Sequence, residues 1–376
     1  MKKRIQTILV FIILLAGSKS NGQGCVAVRP MGCAVGGSAE NNGLLMKKQF
    51  QVSASYRYFE SYKHFKGDTE QVERVIDKTN VINISHSVDL GVTYGLSSCF
   101  SVAINLPVIY FDRSSLYEHY GNSTTTNPDQ LRFNTGSKGI GDLRLSGYYW
   151  LFNPHNDSLK GNISFGAALK APTGNSNVLG DFHKISSEGT DSLVNKAVDQ
   201  SIQLGDGGWG FNLEISGFKK LFKNCWGYYN GFYLFNPQNY NSTITRGTLV
   251  NVDPIIAYHS IADQFAGRIG LNYTLLPKHG ISLSLGARAE GVPSHDLIGE
   301  SDGFRRPGYI ISSEPGLSWN HKKLFCSLNA PVALYRNRTK SVYDLADPSG
   351  LRHGDAAFAD YLINLSLRYQ FGGMKH

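Results

Sequence analysis

The chain has 376 residues, 41% of them hydrophobic, with 37 Lys and Arg against 29 Asp and Glu and a formal net charge of +8. The basic residues are scattered and form no arginine-rich stripe, which argues against nucleic-acid binding; the five cysteines show no close metal-ligand spacing, which argues against a zinc centre. No apolar stretch approaches the roughly 18 residues that a membrane helix requires, so helical insertion is excluded as well.

Residues 1–4 are basic, and residues 8–16 form a short apolar run ending in Gly17 and Ser18, the pattern of a secretory signal peptide. Small residues at Ser20 and Gly22 place cleavage before Gln23. Lipidation at Cys25 is the competing reading, disfavoured because eight polar or small residues separate that cysteine from the apolar run. Loss of Lys2, Lys3, Arg4 and Lys19 with the signal lowers the net charge to +4. Residues 23–48 follow no clear period and are expected to form a periplasmic or plug segment near the barrel mouth. In an exported chain, Cys25 and Cys33 either close a small disulfide loop there or stay as two thiols.

From residue 49 onward the dominant pattern has a period of two, the signature of strands. Its clearest unit is residues 139–174, in which Leu143, Leu145, Tyr149 and Leu151 alternate with Asp142, Arg144 and Ser146. After a turn rich in Asn, Asp and Pro, Ile163, Phe165, Ala167, Leu169 and Ala171 alternate with Asn162, Ser164, Gly166 and Lys170. Each run is about the ten residues that carry a tilted strand across a bilayer, apolar toward lipid and polar inward.

Comparable runs occupy residues 50–58, 88–94, 102–108, 211–216, 226–235, 265–274, 281–290, 309–319, 324–334 and 361–371. Long polar connections alternate with short turns throughout. The expected fold is all-β: a single transmembrane antiparallel up-and-down β-barrel of about 12 strands, with short periplasmic turns and long extracellular loops. The expected organisation is signal peptide 1–22, N-terminal segment 23–48, barrel 49–371 and a short tail 372–376. A soluble sandwich or propeller would need neither ten-residue apolar faces nor strictly alternating loop lengths.

The inward-facing candidates for lining a lumen are Arg57, Asp89, Asp142, Arg144, Lys170, Glu214, Arg268, Arg288, Glu290 and Arg368. They either line an aqueous path or pair across the lumen and hold a polar core together. Pro107, Pro172 and Pro331 fall in the outer half or at the outer end of odd-numbered strands, where a missing ladder donor predicts kinks or bulges. The last strand alternates Tyr361, Ile363, Leu365, Leu367, Tyr369 and Phe371, and its aromatic end reads as an assembly signal.

GDGGWG at residues 205–210 matches a dinucleotide glycine pattern in form only, because strand periodicity follows it where a helix is required. His86 lies on the lipid-facing side, while Ser85 and Ser87 point to the opposite face, so no Ser–His pair for a lipid hydrolase is expected there.

The segments GIGDLRLSGYYWLF, LKAPTGNSN and IQLGDGGWGFNLEISG together resemble the outer-membrane barrel family associated with the meta-pathway of phenol degradation, related in character to long-chain fatty-acid channels. The resemblance implies a transporter of small hydrophobic or aromatic molecules and brings no catalytic set. The functional expectation is a monomeric outer-membrane channel acting by passive diffusion, with no cofactor or metal. Its expected partners are outer-membrane lipid, the barrel assembly machinery and a small-molecule substrate. The alternatives are a structural or surface-binding barrel with a blocked lumen and an outer-membrane lipid-modifying enzyme.

Overall fold

The computed structural model describes residues 44–156, 158–244 and 253–373; the signal segment and the Cys25 and Cys33 pair lie outside them. Twelve strands form the wall: β1 Gln49–Lys66, β2 Ile82–Gly95, β3 Phe100–Ser115, β4 in two pieces (Phe133–Ile140 and Leu143–Trp150), β5 Gly161–Ala171 and β6 Gly210–Phe222. The others are β7 Cys225–Phe235, β8 Gln264–Leu276, β9 Ile281–Val292, β10 Gly308–His321, β11 in two pieces (Leu324–Asn329 and Val332–Asn337) and β12 Ala356–Gly372. Each strand pairs antiparallel with its successor, and β12 returns to β1 from Gln49↔Gly372 to Phe65↔Ala356. Closure leaves the wall without the free sheet edge that hydrocarbon would penalise.

The alternation sorts side chains as a membrane wall requires. Leu90, Val92, Leu145, Leu169, Leu213, Ile215, Ile269 and Leu271 are exposed on the outside, while Asp89, Arg144, Ser146, Asn212 and Glu214 are buried inside. Aromatic residues ring both ends of this band. Phe50, Phe100, Tyr149, Tyr273, Trp319, Tyr369 and Phe371 stand toward the short turns, and Tyr110, Trp209, Tyr335 and Tyr361 toward the long loops. Their amphipathic rings suit the two interfaces. Among the described residues no helix is long and apolar enough to cross a membrane.

Several strands run further toward the long-loop end than the apolar pattern indicates. β1 continues to Lys66, β3 to Ser115, and residues 133–138, read as loop, form the outer piece of β4 paired with β3. Beyond the bilayer a strand needs no apolar outer face, so the alternation fades while the ladder continues. The stretch 173–208, read as the longest loop, carries a hairpin of Leu179–Ile185 with Asp191–Ala197 and a short 3-10 turn, Gln200–Ile202.

The prolines mark interruptions in the wall. β3 pairs with the inner piece of β4 as far as Asn105 and with the outer piece from Val108, so the break in β4 lies opposite Pro107. Proline has no N–H for the ladder, and Gly141 N instead donates to the Pro107 carbonyl at 2.8 Å. β11 breaks around Pro331 beside Pro315 of β10, a proline that the sequence pattern did not single out; Ala330 N reaches the Pro315 carbonyl at 3.0 Å. Pro172 directly follows the end of β5.

Candidate functional site in the barrel interior

The interior is built in three levels. At the short-turn end, Trp150 of β4, Phe218 of β6 and Trp226 of β7 turn inward and pack together, with ring centroids 5.8 and 5.9 Å apart. Leu44, just before β1, and Cys99 pack against them. His155 Nε2 lies 3.2 Å from the carbonyl of Leu45, tying the start of the described chain to the β4–β5 turn.

At mid-height the inward charges meet. Arg57 Nη2 lies 3.5 Å from Glu290 Oε1, and Arg288 Nη2 lies 2.8 Å from Glu290 Oε2. Arg288 also reaches Glu314 at 3.5 Å, and Arg268 reaches it at 3.0 Å. Glu314, on the least regular strand of the sequence pattern, was not among the candidates, yet it joins two of them. Elsewhere on the wall Arg144 pairs with Asp89 at 3.2 Å, and Asn212 donates to Glu214 at 2.6 Å. Lys170 contacts Asp206 and lies 3.9 Å from Asp142. Arg368 is buried with its guanidinium 5.2 Å from the Phe325 ring centroid. The low local dielectric that makes an unpaired charge costly here is offset by these partners.

Asp142 also fastens the wall at the break in β4. It accepts from Gly174 N at 3.0 Å and Asp206 N at 3.5 Å. A side chain at Gly205 would meet Asp142 Oδ1 at 2.7 Å, so this close approach requires glycine. The glycine-rich stretch 205–210 thus serves as a loop clamp that re-enters a strand at Gly210, in line with its periodicity.

Above the charged level, Phe65, Ile310, Ala333, Ala356 and Phe358 form an apolar layer. A cavity of about 440 Å³ opens at the long-loop end, lined by Arg74, Arg113, Arg305, Arg306, Arg338 and Arg352, among others. Arginines scattered along the chain are therefore brought together by the loops, although none was picked out from the sequence; the adjacent Arg305 and Arg306 were the available signal. Asp199 is clamped by Arg306 at 2.8 and 2.7 Å and by Arg113 at 3.4 Å. Burial alone would raise the Asp199 carboxyl, but the charges of Arg113 and Arg306 dominate and hold it well below the usual carboxylate range. His64 accepts from Val81 N at 2.9 Å through Nε2 and places Nδ1 2.7 Å from Asp355.

Tyr361, Tyr369 and Phe371 are exposed on the outer face of β12, where Phe371 stacks on Phe50 of β1 at 5.6 Å across the closing seam. His86 faces outward, 2.8 Å from the Tyr56 hydroxyl through Nδ1, with Tyr58 and Tyr110 around it; Ser85 and Ser87 are buried on the opposite face. Among the described residues no cluster of His, Cys, Asp and Glu is arranged to hold a metal, and Cys99, Cys225 and Cys326 are free thiols.

This arrangement defines an outer-membrane-type β-barrel. No family model and no curated protein matches the sequence. Among solved structures the chain is similar to an outer membrane channel from Pseudomonas putida F1, with 13% identity and a TM-score of 0.54 over 87% of this chain and 97% of that one. The P. putida toluene transporter TodX aligns at 10% identity and a TM-score of 0.42, covering 91% and 94% of the two chains. The translocator domain of autotransporter NalP from Neisseria meningitidis aligns at 12% identity and 0.41, covering 89% and 91%. At such identities the first likeness shows the fold alone.

Proposed function

We propose that this chain is an outer-membrane channel for passive uptake of small molecules, hydrophobic or aromatic solutes among them. The observation that carries the reading is a closed wall with an apolar band outside, polar groups inside and a chamber of about 440 Å³ at the long-loop end. The motif resemblance to the phenol meta-pathway barrels supports the choice of solute. Export by the N-terminal signal, insertion by the barrel assembly machinery, long loops outward and both termini in the periplasm complete the proposal. The barrel works as a monomer in outer-membrane lipid.

A second reading, a structural barrel with a blocked lumen, is favoured by one observation. The Arg57–Glu290 contact crosses the interior between strands that are not neighbours. Reconstitution into liposomes separates the two. Uptake of small aromatic solutes, or ion conductance, supports the channel; neither, with a folded barrel verified, leaves the structural reading.

A further inference from the structure

The cavity at the long-loop end has a composition that the channel reading does not call for. Its guanidinium groups outnumber its carboxylates, since Asp344 and Asp355 are the acids among its lining residues and hold Arg338 at 3.5 Å and Arg74 at 3.4 Å, while Asp199, Glu118 and Asp296 hold the other inner arginines without lining it. Those outer carboxylates fix the cations in place. Arg306 is gripped by Asp199 through two hydrogen bonds and rests over the Phe304 ring at 4.9 Å. Arg113 converges on the same Asp199. Arg352 lies 4.1 Å over the Tyr343 ring, with Nη1 donating to the Tyr343 carbonyl at 3.3 Å and no carboxylate of the described residues at ion-pair distance.

Fixed guanidinium groups bind a planar carboxylate with little loss of side-chain freedom. Phe304, Ile256 and Val81 supply apolar surface beside them, and the volume falls within the range of roughly 300–1,000 Å³ typical of small-ligand pockets. We propose that this vestibule is a binding site for small organic anions, a carboxylate on a compact apolar body. The proposal rests on the channel reading only for its physiological use; the site itself stands on the cavity and its cations.

The test is equilibrium binding to the full-length barrel folded in detergent, by calorimetry, with benzoate, its uncharged isostere benzamide, and inorganic phosphate. Benzoate should saturate one site, weaken as salt rises, and bind at least about tenfold more tightly than benzamide. Arg352→Gln, at an exposed position, should weaken benzoate by about tenfold with the barrel intact. The paired change Arg306→Gln with Asp199→Asn removes a cation without stranding its acid and should weaken it as well. No saturable benzoate binding, equal binding of benzamide, or phosphate bound in preference to benzoate overturns the proposal. A barrel that binds benzoate yet passes no solute keeps this site and sinks the channel; one that passes solute without binding benzoate does the reverse.

Discussion

Arg57 of β1 and Glu290 of β9 stand 3.5 Å apart although β10, β11 and β12 separate their strands along the shorter arc of the wall. Both side chains are almost wholly buried. Glu290 is shared with Arg288, which also reaches Glu314 at 3.5 Å, so this carboxylate links the β1 cation to the charges of β9 and β10. Glu290→Gln should therefore destabilise the barrel by about 3–5 kcal/mol, the usual cost of breaking a buried ion pair. Arg57→Gln combined with Glu290→Gln should recover part of that loss. Urea titration of the detergent-folded protein checks this, and additive effects of the two single changes would show that the pair is not coupled.

The aromatic cluster at the short-turn end is expected to limit passage independently of the charges. Trp150→Ala together with Phe218→Ala should raise single-channel conductance in planar bilayers, at a stability cost of about 3–5 kcal/mol for each buried ring lost. Conductance equal to that of the unaltered barrel, with folding intact, would place the restriction at the charged level instead.

How much of this was legible in the sequence follows the bilayer. Where lipid touches the wall, alternation is enforced, and runs such as 143–151 and 361–371 located their strands. Past the lipid, residues 133–138 kept their ladder but lost their apolar face, and the signal went with it. Inward direction was legible for Arg57 and Glu290, but their meeting was not: 233 residues separate them, and alternation says nothing about which strands face one another across the lumen. The vestibule was invisible because its arginines are dispersed, Arg113 at the end of β3 past the apolar alternation and the others singly or as one adjacent pair in connections without strand periodicity.

The long-loop contacts give a pH expectation. Burial alone would raise the Asp355 carboxyl, but the hydrogen bond from His64 and the charge of Arg74 outweigh it and hold the group at about 2. A depressed carboxyl contributes stability above its unfolded value of about 3.9 and loses it as pH falls through the folded value. The 338–355 loop should stay anchored at pH 5 and release between about pH 4 and pH 2. A carbon-13 carboxyl titration of labelled aspartate reads the midpoint directly, and a value near 4 would contradict the His64 contact.

Orientation can be read on intact cells. With native cysteines replaced, single cysteines at Ser187 or Asp347, both in long-loop connections, should react with an impermeant maleimide. Those at His155 or His279, in short turns, should not. Equal labelling of both sets would refute the assigned topology.

The closing strand offers a test of assembly. Deleting residues 361–376 removes most of the strand that seals β1, including Tyr361, Tyr369 and Phe371, and should abolish the heat-modifiable folded form. Deleting residues 372–376 costs one terminal register pair, Gln49↔Gly372, and should leave it. Normal folding of the longer truncation would remove the assembly role from these aromatics.

The inward packing of the ring cluster also divides the chain's four tryptophans into two optical classes. Trp150 and Trp226 are enclosed beside Phe218, whereas Trp209 and Trp319 stand on the outer surface at opposite ends of the apolar band. Brominated lipid should quench only the second pair. The unquenched emission that remains then comes from inside the barrel alone, a built-in optical reporter of whether the short-turn end is shut.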